Sequence, residues 1–166
     1  MFCQDALLKM IERQTEGVMY HDEMTDYYAF LHLKVLEDMH HEQTKEELCS
    51  LRKAKCLYIK HFEMLPKYSA TNPNAIPAEL MTKTTAEIDE ESLQVLIKQS
   101  LESYLFWERE TCEIYKKIAM TFKENMHFVL YREACEMIEE VQKEICKINE
   151  MIIDAASYDY CPSYFK

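Results

Sequence analysis

Turn-forming residues are almost missing from this chain. Its 166 residues include one glycine, Gly17, and four prolines, three of which (Pro66, Pro73 and Pro77) fall in one segment. Hairpins of sheet need glycine, asparagine-glycine or proline turns, and no strand-length alternating run is bounded by such signals here. No internal repeat of solenoid period is present, which excludes a stacked array. Phosphate-cradling glycine loops and nucleophile elbows are absent as well. No stretch approaches the roughly 20 apolar residues that span a bilayer, so no membrane partner is expected. Basic charge is also scarce: 19 Lys and Arg stand against 30 Asp and Glu, a formal net charge of −11. Such a surface repels phosphate backbones, so nucleic acid is not an expected partner.

The seven cysteines, Cys3, Cys49, Cys56, Cys112, Cys135, Cys146 and Cys161, are odd in number and contain no CxxC pair. Most lie inside helical pattern, which fits neither a disulfide framework nor a zinc ribbon. Reduced thiols acting as small core hydrophobes point to a cytoplasmic protein. The first residues, MFCQDALLKMIE, are amphipathic and contain acids, so a cleavable signal is not expected there.

What the chain does have is helical rhythm. Hydrophobic residues make up 48% and charged residues 30%, and with so few breakers this composition reads as all-α. A first helix is expected from about residue 5 to 32, with a seam through Leu7, Ile11, Gln14, Val18, His21, Thr25, Tyr28 and His32. A second carries His40, Thr44, Glu47, Leu51, Ala54, Tyr58, His61 and Leu65, and Pro66 stops it. The run from about 66 to 91, with three prolines and no sustained period, reads as a crossover with a short helical turn near Pro77–Met81. A third helix starts at Asp89 or Ser92, where acids meet the positive end of the dipole, and ends near Lys123. Its seam is Leu101, Leu105, Glu108, Cys112, Tyr115, Ala119 and Phe122. Asn125 is placed to cap a fourth helix with the stripe Leu130, Ala134, Met137, Ile138, Val141, Ile145, Ile148 and Ile152. Residues 1–156 thus form one bundle, and 157–166 an aromatic tail that packs on the bundle or on a neighbouring subunit.

Two helical hairpins joined by one long crossover resemble the ferritin-like four-helix bundle, and the rubrerythrin-related branch in particular. In the third helix of that branch a metal-binding Glu precedes a Tyr by seven residues, in text like E-x-x-x-x-x-x-Y-x-K-I-A. Here Glu108 precedes Tyr115-Lys116-Lys117-Ile118-Ala119. The likeness covers both hairpins loosely and this segment closely. It implies a di-iron site built from a Glu on each of two helices and a Glu-x-x-His on each of the other two.

That ligand set looks largely lost. In helix four the only forced match, Glu139-x-x-Gln142, points away from the stripe, while Ile138 and Val141 face the core. On helix one, seven residues before Tyr28, stands His21. Helix two leaves two registers open. A first hairpin turn near Leu33–Leu36 sets Glu47 level with His21, within Thr44-x-x-Glu47; a turn near His40–Gln43 gives Tyr58-x-x-His61 instead. Helices of equal length favour the first. The candidate metal residues are therefore His21, Glu108 and either Glu47 or His61. They hydrogen-bond to one another as a relic, or they hold a single iron, zinc or manganese ion. No cofactor is the expectation.

Other features read more plainly. Consecutive residues do not share a helix face, so His40-His41 is expected on a solvated face. Trp107 is expected to pack at the seam's edge. Tyr27, Phe30, Tyr104 and Phe106 lie off the seams and suggest a face buried on a second subunit, hence a homodimer. The expected function is a non-enzymatic interaction or accessory role with a protein partner; the alternative is a small metal-binding protein with oxidoreductase or metal-handling activity.

Overall fold

A computed structural model describes residues 2–166. Helix α1 spans Cys3–Phe30, α2 Lys34–Phe62, α3 Glu90–Glu124 and α4 Phe128–Ser157, with short 3-10 turns at Ala78–Leu80, Thr85–Glu87 and Pro162–Tyr164. No strand occurs among the described residues, and none of the described helices is long and apolar enough to cross a membrane. The molecule is an all-α four-helix bundle. α1 packs on α2 and α3 on α4, and the two hairpins meet chiefly through α1 and α3. α2 and α4 approach less closely.

The helix ends are set by left-handed residues rather than by proline. His32 takes φ 57°, and the Leu33 N–H donates to the Tyr28 carbonyl at 3.0 Å, so α1 stops two residues before His32 is reached. Glu63 takes φ 54° and donates to Ile59 O at 2.9 Å, ending α2 ahead of Pro66. Asp89 caps α3, its carboxylate accepting the Ser92 N–H at 2.7 Å. That bond satisfies one of the free amides every helix start leaves over. Asn125, expected to open α4, instead closes α3, its amide donating to Thr121 O at 2.8 Å; His127 is the residue that precedes α4.

The segment between α2 and α3 is pinned to α1 by two carboxylates. Glu16 accepts from the Thr71 N–H at 3.1 Å and Glu23 from the Ala75 N–H at 2.7 Å. The tail packs on the bundle: Phe165 is fully buried, and its carbonyl accepts the Val35 N–H at 3.0 Å, tying the chain end to the first hairpin turn.

Two apolar clusters fill the interior. One draws on Leu7 and Met10, Leu51 and Tyr58, Ile118 and Phe122, and Leu130 and Ala134. The other draws on Met24 and Tyr28, Leu33 and Leu36, Ile97 and Leu101, and Ile148 and Ala155. Between them, in every helix, lies a stretch whose inward residues are polar: Gln14 and His21, His40, Glu108, and Glu144. A bundle of this size tolerates such a layer only if its members satisfy one another or meet a cation.

Tyr27 and Tyr104, expected on an outer face, are both core residues of the single chain. Phe106 remains 69% exposed.

Candidate functional site

The buried layer has one side built from α1 and α2. The first hairpin turns at Leu31–Leu33, earlier than the Leu33–Leu36 turn that equal helix lengths favour. His21 then faces His40, not Glu47: their Nδ1 atoms stand 2.9 Å apart, and both side chains are fully buried. Neither ring is on a solvated face, which corrects the expectation for His40. At this distance one Nδ1 carries a proton and the other accepts it, so the pair cannot both be charged. Burial drives His21 down to about 3, and it drives His40 well below the ordinary range, with the charge of His21 as the second cause. Tyr28 stacks on His40 and the Tyr104 ring lies 4.6 Å from it, leaving His40 Nε2 enclosed and without a partner.

Glu47 sits one heptad further along α2, beside Gly17. A Cβ built on Gly17 lies 3.1 Å from the Glu47 carboxyl carbon and 3.2 Å from its Oε2. The only glycine of the chain therefore serves a close approach and not a turn. The Glu47 stem is half-buried, while its carboxylate presses inward on the α1 backbone.

From α3, Glu108 reaches into the same layer with 3% of its surface exposed. Its Oε1 is 3.5 Å from His21 Nε2, close enough for attraction but too long for a good hydrogen bond. Glu108, His21 and His40 thus stand in a line whose hydrogen bond lies between the two histidines. From α4 comes Glu144, whose Oε1 accepts the Tyr104 hydroxyl at 3.0 Å and whose Oε2 meets Lys147 Nζ at 3.1 Å. Glu144 takes the inward position that apolar pattern gave to Ile145, which is only partly buried.

These carboxylates border a small cavity of about 60 Å³. Glu47, Glu108 and Glu144 form its inner wall, Glu46 and Glu140 are exposed at its mouth between α2 and α4, and Tyr115 closes the floor. Gln14, 1% exposed, turns its amide nitrogen to the Met137 sulfur at 3.3 Å, and its buried carbonyl oxygen has no partner. Burial raises Glu47 to about 8, with repulsion from Glu108 next; burial raises Glu108 to about 8 too, followed by repulsion from Glu144. Tyr115 is raised by burial and then by Glu47 and Glu108.

Arg13 is the cation that lowers both Glu47 and Glu108, without pairing with either. It is held on the other side of α3: Nε donates to Thr111 Oγ1 at 2.9 Å, Nη2 to Trp107 O at 3.1 Å and to Glu110 at 3.1 Å. Its guanidinium lies 3.5 Å over the Trp107 ring, which stacks on Tyr20 at 4.6 Å. Trp107 is thus the platform that holds Arg13 away from the cavity.

Of the four residues singled out from sequence, the structure brings His21, Glu47 and Glu108 to one layer. His61 lies elsewhere, in the last turn of α2 beside His127. Glu144, His40 and Gln14 complete the layer. Among the described residues, no three His, Cys, Asp or Glu side chains converge as a ready-made ion site. The seven cysteines are unbridged.

A di-iron centre needs four carboxylates and two histidines, each histidine three residues beyond a ligand glutamate. Three beyond Glu47 stands Ser50, and three beyond Glu144 stands Lys147, a cation already paired with that glutamate. The histidines present bind each other. This donor set does not fit a di-iron centre. No protein-family model matches the chain, and no curated protein matches it.

Proposed function

We propose that the chain is a ferritin-like bundle, related to the rubrerythrin branch, that has exchanged the di-iron centre for protons and serves as a non-enzymatic interaction or accessory module, working as a homodimer. The resemblance rests on two hairpins, one crossover, and Glu108 with Tyr115 on α3. One observation carries the loss of the metal: the two positions where histidine is required hold Ser50 and Lys147. Two carboxyls without a cation are stable in a dry layer if they keep their protons, and both Glu47 and Glu108 titrate near 8. A neutral Glu108 faces a neutral His21 across 3.5 Å, and His21 and His40 share one hydrogen bond through their Nδ1 atoms. The layer is then a hydrogen-bonded relic that sets the register of four helices.

A second reading has one observation in its favour. The unpartnered Gln14 oxygen shares the cavity with Glu47 and Glu108, an all-oxygen set suited to one hard cation such as manganese. Elemental analysis of protein purified without a histidine tag separates the two. The relic reading expects no manganese or iron after incubation with either and dialysis. One manganese per chain, lost on Glu108→Gln and on Glu47→Gln, supports the metal-binding reading instead.

A further inference from the structure

Two histidines meet far from the polar layer. His61 ends α2, and His127 is the last residue before α4, so the bundle's connections bring them together although 66 positions separate them. Their ring centroids are 4.9 Å apart with planes at 82°. His61 Nε2 is enclosed and has no hydrogen-bond partner, and the His127 side chain makes no capping bond. Two imidazoles with centroids 4.9 Å apart, one carrying a nitrogen that the protein does not satisfy, are spaced to share one ligand.

Geometry says which ligand such a pair takes. Imidazole nitrogen binds zinc-like ions at about 2.0–2.1 Å, which puts each ring centroid about 3.2 Å from the metal. Two rings on one ion then have centroids about 4.5 Å apart at a right angle and about 5.2 Å apart at the tetrahedral angle. The observed 4.9 Å lies between these values. Hard cations such as magnesium and calcium prefer oxygen and gain little here.

We propose that His61 and His127 form a two-imidazole site for a borderline transition ion, zinc or nickel, at the bundle end, with water in the remaining positions. The site is independent of the central layer. Binding there ties the end of α2 to the α3–α4 connection. No oxidation or bond cleavage is implied.

Isothermal titration of the tag-free chain with nickel(II) and with zinc(II) tests this, in a Cys49→Ser, Cys56→Ser, Cys146→Ser background that removes the exposed thiols. The expected result is one saturable equivalent per chain, weakened about tenfold or more by either His61→Ala or His127→Ala. Both variants are expected to keep the helical circular dichroism of the parent, since neither ring is part of the core clusters. Absence of saturable binding in the parent overturns the proposal. So does binding that survives both histidine substitutions.

Discussion

Replacing Glu108 by glutamine keeps the shape of a side chain that is 3% exposed and removes its proton equilibrium. In the folded protein Glu108 holds its proton up to about 8, whereas in the unfolded chain it ionises near its ordinary value of 4.5. Folding therefore favours the protonated form. The stability this contributes is fully present below 4.5 and is lost as pH rises through 8, because the unfolded state gives up its proton first. The difference between 4.5 and 8 corresponds to about 5 kcal/mol at about 1.4 kcal/mol per pH unit. Glu47 titrates over the same range and carries part of the field, which brings the part that one substitution removes to about 2–4 kcal/mol. Glutamine at 108 does not ionise, so the variant gains on the wild type steadily between pH 4.5 and 8. His21, held near 3, stays neutral throughout and does not disturb the comparison. Urea unfolding followed by helical circular dichroism at pH 4, 6, 8 and 9, extrapolated linearly, gives the difference at each pH. A gap that stays constant with pH shows that Glu108 does not hold a proton. A variant that falls further behind the wild type as pH rises shows an ionised Glu108 with a bound cation, and refutes the reasoning.

Three other outcomes follow from the packing. Gly17→Ala gains about 0.5–1 kcal/mol of helix propensity but puts its Cβ 3.1 Å from the Glu47 carboxyl, so it is expected to be neutral or destabilising alone and stabilising in a Glu47→Ala background; thermal melts of the four proteins show the reversal or its absence. Phe165→Ala empties a fully buried site between the tail and the first hairpin, costs about 3–5 kcal/mol, and exposes the last ten residues to limited proteolysis. Sedimentation equilibrium at micromolar concentrations is expected to give a dimer that weakens on Phe106→Ser, the one of the four off-seam aromatics that is largely exposed; a monomer throughout removes the proposed assembly.

Helix count, the Asp89 cap and the inward Glu108 were all legible in the sequence, because each depends on residues within one helix or one turn. The polar layer was legible only in part. His40 lies on the same heptad seam as Glu47, Ala54 and His61, and that seam pointed inward; its adjacency to His41 suggested a surface cluster, and adjacency was the weaker signal. Tyr104 and Glu144 were passed over for Leu105 and Ile145, their apolar neighbours one position on. On either helix alone the apolar residue is the cheaper one to bury. Across α3 and α4 the Tyr104 hydroxyl and the Glu144 carboxylate satisfy each other at 3.0 Å, which makes the polar choice affordable. A pair of this kind is invisible until the two helices are placed side by side. The same holds for His61 and His127, which no local pattern connects.

The most direct measurement is iron stoichiometry. The tag-free His61→Ala, His127→Ala double variant, which lacks the end pair, is incubated with ferrous iron without oxygen, desalted and assayed for metal per chain. An exchanged centre, with Ser50 and Lys147 where histidines are required, predicts essentially no retained iron and no change in the absorption spectrum on admitting air. Two irons retained per chain, lost together on Glu108→Gln, would contradict the account.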